Sequence, residues 1–338
     1  MSDLDDAYER LLADAAGTDV VRAIERGGSA ATLWERLDAS GFLDALLPEV
    51  SAGAGLSLGE IFPLLVAEGR HALPVPAAHT MLARAALVAA GQRPPSGPIV
   101  IASSTRVAPD GGIACVNTPC GAVAEWVVAS LPDGWLLLPT AEARRQGCGV
   151  HGSLRADLHW GAPARASEVP GAVDWQAVGA AVAAAQLAGA MQRVLQLTVA
   201  FANERVQFGK SIGKFQALQH QIAVMAEHVT AAHMAAEIGC TARGAVPERL
   251  RAAVAKARAS EAATFATSIG HAVHGAIGVT AELDLQLYTR RLHEWRADFG
   301  SERYWNTEVG RALLAADAQL SLDFMRDALI PANDEISR

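Results

Sequence analysis

The residues best suited to bind an anion lie in a short segment between two long apolar stretches. It reads Arg205-Val206-Gln207-Phe208-Gly209-Lys210-Ser211-Ile212-Gly213-Lys214-Phe215-Gln216. An arginine and two lysines are combined there with two glycines. Such a turn can present cationic side chains and backbone N–H groups to a phosphate. A solvated loop between two helices has the same composition, and residue types alone favour this second interpretation.

The sequence gives little support to metal or disulfide chemistry. A di-iron centre in a helical bundle needs paired Glu-x-x-His motifs on two helices. The group formed by Glu227, His228 and His233 does not provide them, so we expect no metal site. The cysteines form no Cys-x-x-Cys pair and have no histidines at zinc spacing. We therefore expect four free thiols that fill space: Cys115, Cys120, Cys148 and Cys240.

Composition limits the class of protein. The chain has 338 residues, 51% of them hydrophobic and 19% charged, which is enough for two or three domains with a sizeable core. Its net charge of −8 argues against nucleic acid or an anionic membrane as the main partner. No apolar run reaches about 18 residues, and the acidic start Met-Ser-Asp-Leu-Asp-Asp is unlike a signal peptide. We therefore expect a cytoplasmic protein.

The amino-terminal part of the chain predicts helices followed by a small β unit. Apolar residues recur at helical spacing up to about Gln92, and Ser57 is placed to cap one of these helices. A linker rich in proline and glycine follows at residues 92–98. Three short apolar runs come next, at 99–102, 126–129 and 135–138, and the last two are separated by the hairpin signal Pro132-Asp133-Gly134.

Longer helices are predicted from Trp175 onward. The first is apolar on opposite faces, as in a helix buried within a bundle. A second helix follows the 208–215 loop, and a third is expected to begin at Pro247 and end near His274, with two shorter helices after it. We therefore predict an N-terminal all-α domain (1–95), a shortened β domain (96–169) and a C-terminal antiparallel helical bundle (170–338).

The 205–216 segment resembles the Arg-x-x-Phe-Gly-x-x-Ile-x-x-Phe-Gln signature of the acyl-CoA dehydrogenase family. The residues after it, Gln219-His220-Gln221-Ile222-Ala223-Val224-Met225, fit the continuation of that signature. Further matches are His274-Gly275-Ala276-Ile277-Gly278 in a late turn and Gly53-Ala54-Gly55-Leu56-Ser57 near the start. The resemblance covers nearly the whole chain in the right order, and it implies the same helix–β–helix architecture.

The resemblance implies FAD-dependent α,β-desaturation of an acyl-CoA thioester. In the family a carboxylate removes the α-proton, the flavin accepts the β-hydride, and an electron-transfer flavoprotein or a similar acceptor reoxidises the flavin. The signature loop contacts the ADP half of an FAD held chiefly by the neighbouring subunit. Carried over position by position, the predicted FAD contacts are Arg205, Gln207, Phe208, Ile212, Phe215 and, in the late turn, Gly275.

The departures from the family pattern concern the catalytic groups. Phe299 stands where the family usually has its catalytic Glu, and Gly179 stands near the alternative position. The flavin-contacting Thr-x-Ser-type motifs cannot be found between Pro98 and Val169. The late turn has Ala272 and Gly275-Ala276 in place of its usual glutamine and paired glycines. We therefore expect this chain to supply no catalytic residue.

The resemblance then points to a short subunit of a hetero-oligomer, similar to the small subunit of actinobacterial α2β2 acyl-CoA dehydrogenases. Such a subunit would contribute FAD contacts while a longer homologue supplies the base. Bulky sterol side-chain CoA esters are one substrate class of these enzymes. Two alternatives stay open: a self-sufficient dehydrogenase that uses Asp298 or Glu302 as its base, and a flavin-free scaffold or binding protein.

Overall fold

The computed structural model describes residues 3–132, 134–161, 167–169, 171–316 and 320–329. Helices come first in these residues, two small β-sheets follow, and helices return to the end. The predicted helix–β–helix order is therefore confirmed. Because all three regions contribute to one continuous hydrophobic core, the domain boundaries at residues 95 and 169 stay predictions.

The first region contains short helices that pack on the bundle. Ser57 is confirmed as a cap: its Oγ accepts a hydrogen bond from the backbone N–H of Glu60, whose carboxylate accepts one from the N–H of Ser57. The α-helices described before residue 90 are α1 (Asp3–Ala15), α2 (Thr18–Glu25), α3 (Ala31–Ala39), α4 (Leu58–Arg70) and α5 (Ala77–Ala89).

The β region consists of two four-stranded sheets in the orders β1-β4-β5-β8 and β2-β3-β7-β6. Only the β1–β4 pair is parallel among the pairs described in these two sheets. Val100, Val127 and Leu136 of the first sheet pack against Cys115 and Leu158 of the second. The strands are β1 (Ile99–Ile101), β2 (Thr105–Val107), β3 (Ile113–Thr118), β4 (Trp126–Leu131), β5 (Gly134–Pro139), β6 (Arg144–Gly147), β7 (Ala156–Trp160) and β8 (Ser167–Val169).

The three predicted apolar runs are all strands. They correspond to β1, β4 and β5, and the predicted hairpin joins β4 to β5 with Leu131 paired to Gly134. Asp133 lies outside the described residues. The sequence pattern missed β2, β3, β6, β7 and β8. Buried side chains alternate with partly exposed ones in β7 and at the start of β3, and no side chain of β2 or β6 is buried, so none of these four strands is a continuous apolar run.

The C-terminal bundle is built on α6, which packs against α7, α8, α4 and α9. The third bundle helix begins at Arg249 and not at Pro247, because the Glu248 carboxylate caps it by accepting from the N–H groups of Leu250 and Arg251. Three helices, and not two, follow it among the described residues. The helices are α6 (Trp175–Glu204), α7 (Gln216–Cys240), α8 (Arg249–His274), α9 (Leu285–Ala297), α10 (Glu302–Ala315) and α11 (Ser321–Leu329).

Helix α6 crosses α4 at very close range. An ideal Cβ at Gly189 would lie 1.9 Å from the carbonyl oxygen of Val66, and one at Gly69 would lie 2.0 Å from that of Gln186. Only glycine permits this approach. By length and composition α6 is the one helix among the described residues that could cross a membrane, but 78% of its apolar window is buried inside the protein. Its apolar character is therefore accounted for by its central place in the core.

Candidate functional site

The signature segment folds as a small β-hairpin between α6 and α7. Strand β9 (Val206–Gln207) pairs with β10 (Lys210–Ser211), and Phe208 and Gly209 form the turn with φ angles of +52° and +80°. The backbone N–H of Ile212 then donates to the carbonyl of Arg205 at 2.8 Å. This closure returns the chain to the end of α6, so that Arg205 and Ile212 lie together at the base of the hairpin.

A cavity of about 450 Å³ lies beside this hairpin. One wall comes from Arg205, Gln207 and Ile212, and the other comes from the carboxyl end of α8 and the 3₁₀ turn Gly275–Val279. The structure thus places four of the six predicted cofactor residues around one cavity: Arg205, Gln207, Ile212 and Gly275. Their contact with FAD stays a prediction.

The two predicted phenylalanines lie outside this lining. Phe208 is 91% exposed at the tip of the hairpin, and its ring meets Phe215 edge-on at 6.2 Å between centroids. The ammonium group of Lys210 lies 4.3 Å from the centre of the Phe215 ring. Because a tip so exposed has few contacts within this chain, Phe208 is available to a molecule that approaches from outside.

The positive charge beside the cavity comes from Arg205. Arg205 is exposed and has no ion-pair partner among the described residues. His274 lies across from it, but burial lowers the pKa of His274, and the ring stacks on Phe201 at 4.4 Å with its Nδ1 2.7 Å from the carbonyl of Gly270. The imidazole is therefore neutral near pH 7, and Arg205 is left to meet an anion.

These residues fit the ADP half of a dinucleotide. A guanidinium can donate two parallel hydrogen bonds to a diphosphate, and Phe201 and Ile212 supply an apolar wall for a ring. Gly275 has φ +65°, and no atom lies within 4 Å of the position that a Cβ would take there. The backbone at Gly275 is therefore open to close approach by a ligand. The sequence did not single out Phe201, an apolar residue inside a long apolar helix.

The two positions predicted to lack the base of the family, Phe299 and Gly179, lie in contact with each other. An ideal Cβ at Gly179 would lie 2.2 Å from Cδ1 of Phe299, and the next two nearest atoms are also carbons of that ring. The Phe299 ring is buried and meets His79 edge-on at 5.7 Å. The Phe299 ring therefore fills the space over Gly179, and it can do so because glycine has no Cβ there.

The carboxylates beside Phe299 are engaged in ion pairs. Asp298 accepts hydrogen bonds from both terminal nitrogens of Arg155, at 2.7 and 2.5 Å, and both side chains are buried. Arg155 also donates to the carbonyl of Asn117 at 3.1 Å. Glu302 pairs with Arg296, and this hydrogen bond lowers the pKa of Glu302. Neither carboxylate is placed as a free base, which counts against the self-sufficient alternative.

A buried lysine holds the loop that carries Phe299. Nζ of Lys256 donates to the carbonyls of Arg296 and Gly300 at 2.8 and 3.0 Å and to Oγ of Ser260 at 2.9 Å. The indole of Trp305 donates to the carbonyl of Phe299 at 2.9 Å. Phe299 and Gly300 both have positive φ, so these donors fix a loop that is strained at Phe299. Lys256 could not be singled out from the sequence, because it is one lysine on the buried side of an alanine-rich helix.

The expected absence of a metal site stays a prediction, and the structure bears only on the residues that it describes. No group of three His, Cys, Asp or Glu side chains that could hold an ion is found there. His228 stacks on Phe265 at 3.9 Å and accepts from Arg258, while His233 contacts the amide of Gln192 at 3.1 Å. All four cysteines are free, and burial raises the pKa of the Cys240 thiol to about 12.

Comparison with known proteins agrees with these features. The family model of the acyl-CoA dehydrogenase C-terminal domain matches residues 177–314. The chain is 32% identical over 297 residues to acyl-CoA dehydrogenase IpdE2 of Mycobacterium tuberculosis, covering 84% of this chain and 87% of that protein.

Solved structures show the same fold. The structure titled Tcur3481-Tcur3483 steroid ACAD G363A variant has a TM-score of 0.79 at 25% identity and covers 91% of this chain and 96% of that one. A chain of the ChsE4-ChsE5 complex from Mycobacterium tuberculosis has a TM-score of 0.80 at 19% identity. The match covers 94% of this chain and 97% of that chain. On the sequence match over most of both chains, this protein belongs to the acyl-CoA dehydrogenase family, whose members are generally FAD-dependent oxidoreductases that act on CH–CH groups.

Proposed function

We propose that this chain is the base-deficient subunit of a hetero-oligomeric acyl-CoA dehydrogenase. It contributes contacts to FAD, while a longer homologous subunit supplies the carboxylate that removes the α-proton of the thioester. The enzyme acts in the cytoplasm and passes electrons to an electron-transfer flavoprotein or a similar acceptor. Two chains of the same family would thus each perform a different part of the reaction.

The observation that carries the proposal is the contact between Phe299 and Gly179. Each position could hold a base in the family, yet here one has an aromatic ring and the other has no side chain. The ring is buried, fills the space over Gly179 and is fixed by the loop that Lys256 and Trp305 hold. A proton acceptor cannot be replaced by a phenyl group, so the base must come from elsewhere.

The site on the hairpin supports the second half of the proposal. When bound, FAD would accept the β-hydride of the thioester. In this chain the Arg205 guanidinium would pair with the diphosphate, the Gln207 amide would bond to a polar group beside it, and Ile212 would pack on the nucleotide. Phe208 and Phe215 would contact the cofactor from the exposed side of the hairpin. The flavin ring and the reacting carbons would lie in the partner.

The substrate is an acyl-CoA, and we propose a bulky one such as a sterol side-chain CoA ester. Support comes from the name of one neighbour, the Tcur3481-Tcur3483 steroid ACAD, which pairs two chains and is 25% identical to this one. The same neighbour supports a partner of the same family, and an α2β2 arrangement would give each short chain one longer partner.

Flavin occupancy of the co-expressed complex tests the role of the hairpin. Arg205→Ala should lower the ratio of FAD to complex by about tenfold or more at limiting FAD, because a charge-assisted pair to the diphosphate is lost. Subunit association, followed by size-exclusion chromatography, should be unchanged. Lys214→Ala is the matched control, since it removes a positive charge from the same loop at a residue that does not line the cavity.

Unchanged FAD occupancy in Arg205→Ala would remove the assigned role of this residue. Equal losses in Arg205→Ala and Lys214→Ala would indicate general electrostatics and not a specific contact. A complex that forms but never contains flavin would favour the scaffold alternative.

A further inference from the structure

His274, the last residue of α8, lines the cavity beside the hairpin, which we call the hairpin cavity. The proposed function assigns it no role. Its side chain is only 7% exposed, and Nδ1 lies 2.7 Å from the carbonyl oxygen of Gly270. Phe201 stacks on one face of the ring, with 4.4 Å between the centroids. These two neighbours fix both the place and the plane of the imidazole.

The second ring nitrogen of His274, Nε2, is available to a ligand. A carbonyl oxygen can only accept a hydrogen bond, so the contact with Gly270 places the proton of the neutral ring on Nδ1 and leaves a lone pair on Nε2. Nε2 has no hydrogen-bond partner among the described residues. It is also not sealed from solvent, in contrast to the unpartnered Nδ1 of His271 one turn earlier. A molecule in the hairpin cavity can therefore reach Nε2.

The charged groups around His274 do not include an anion that would pair with it. Arg205 at the end of α6 lies across the cavity, and His271 on the preceding turn of α8 repels a charge on His274. His293 of α9 acts on His271 in the same way, and the turn Gly275–Val279 has no ionisable side chain. No carboxylate of the described residues lines the cavity. An anion that compensates a proton on Nε2 must therefore come with a ligand.

Two features of the site favour the charged imidazole once such an anion is present. His274 ends a helix of 26 residues, and the carboxyl end of a helix carries partial negative charge that stabilises a cation. The Phe201 ring lies at 25° to the imidazole, and an aromatic face attracts a cation. The Nε2–H of the imidazolium is then a charge-assisted donor for a phosphate oxygen.

We propose that His274 is a second anion-binding residue of the hairpin cavity and that it takes up a proton from solvent as a diphosphate binds. Arg205 pairs with the diphosphate from one wall, and Nε2–H of His274 donates to it from the other. The inference rests on the proposed function for the identity of the ligand, the ADP half of FAD. Because binding favours the protonated ring, affinity for the diphosphate increases as the pH falls.

The probe for this test is ADP-ribose, whose diphosphate diester does not change its charge in the pH range of the titration. The full 338-residue chain, labelled with ¹³C in the histidine rings, is titrated from pH 5 to pH 8 with and without saturating ADP-ribose. An opposite charge within about 4–6 Å shifts a pKa by about 1–3 units, so ADP-ribose should raise the pKa of His274 by about one unit. Adenosine, which has no phosphate, should leave this pKa unchanged.

The pH dependence of affinity gives the matched comparison. The parent chain should bind ADP-ribose about tenfold more tightly at pH 5 than at pH 8, because one pKa unit corresponds to a factor of ten. His274→Gln cannot take up a proton, and its affinity should not rise as the pH falls. His271→Gln makes the same change at a residue that does not line the cavity and should keep the rise. If His274→Gln does not fold, the pKa of His274 in the parent chain decides, with its signal assigned by its NOE to Phe201.

Three results would overturn the inference: ADP-ribose does not bind the chain, it binds and leaves the pKa of His274 unchanged, or His274→Gln keeps the rise in affinity. These failures differ from a failure of the proposed function. A complex whose FAD occupancy depends on Arg205, but whose His274 takes up no proton, would remove only this inference. Proton-linked binding of ADP-ribose by a chain whose complex never contains flavin would support the anion site and remove the proposed function.

Discussion

Gly179→Ala should destabilise this protein, although alanine is the better helix former. The added Cβ would lie 2.2, 2.3 and 2.4 Å from three ring carbons of Phe299. The ring cannot easily move aside, because His79 packs on it and its backbone is held by Trp305 and, through Gly300, by Lys256. Overpacking of this kind lowers the free energy of unfolding by about 1–3 kcal/mol. The higher helix propensity of alanine raises it by about 1 kcal/mol at most. We expect a net loss of about 1 kcal/mol.

The measurement is the free energy of unfolding in urea, with Gly310→Ala as the matched control. Gly310 also lies inside a helix, α10, but no atom lies within 4 Å of its Cβ position. Gly310→Ala should therefore raise the free energy of unfolding by about 0.5–1 kcal/mol. In a Phe299→Ala background the clash disappears, and Gly179→Ala should then behave like the control. The two sites should show a coupling energy of about 1.5–2 kcal/mol.

The reasoning would be refuted if Gly179→Ala stabilised the parent protein as much as Gly310→Ala does. It would also be refuted if the effect of Gly179→Ala were the same with and without the Phe299 ring. Either result would mean that the ring does not fill the space over Gly179, and the argument that both base positions are closed would then be lost.

Two further predictions concern the neighbouring charges. Asp298→Asn should lower the free energy of unfolding by about 3 kcal/mol, because the buried Arg155 would keep only Glu294, 3.6 Å from its Nε, as a paired carboxylate. The double variant Arg155→Met/Asp298→Leu should recover only part of this loss in urea denaturation, because it leaves Glu294 without Arg155. Burial lowers the pKa of Lys256 from its usual 10.5 to about 7. Between pH 7 and pH 10.5 the unfolded state therefore binds more protons than the folded state. The free energy of unfolding should rise with pH in this range, by at most about 1.4 kcal/mol per pH unit. Lys256→Met should lack this rise when unfolding is measured from pH 6 to 10, and an unchanged slope would contradict the assignment.

Local patterns were sufficient for the order of the elements but not for the second sheet. The linker at 92–98 and the apolar helix from Trp175 separate the three regions, and β1, β4 and β5 are continuous apolar runs. Strand β3 pairs with β7, which lies far along the chain, and β2 and β6 have no buried side chain. Such strands are stabilised by partners that a local window does not contain.

The candidate site was predictable only in part, for a similar reason. The family signature identified Arg205, Gln207 and Ile212, which are close in sequence, and the late turn identified Gly275; together these residues line one cavity. The contact of Phe299 with Gly179 could not be predicted, because it depends on how the loop after α9 packs against the start of α6. The buried pair of Arg155 with Asp298 spans 143 residues and depends equally on tertiary packing.

The most direct test of the central claim is the flavin content and activity of this chain purified without any partner. The claim is that the chain completes a dinucleotide site built mainly by another subunit and removes no proton itself. It predicts a preparation without flavin absorbance at 450 nm that does not oxidise an acyl-CoA in the presence of an artificial electron acceptor, and recovery of both properties on co-expression with a longer homologue. A yellow single-chain preparation that desaturates the thioester would contradict it.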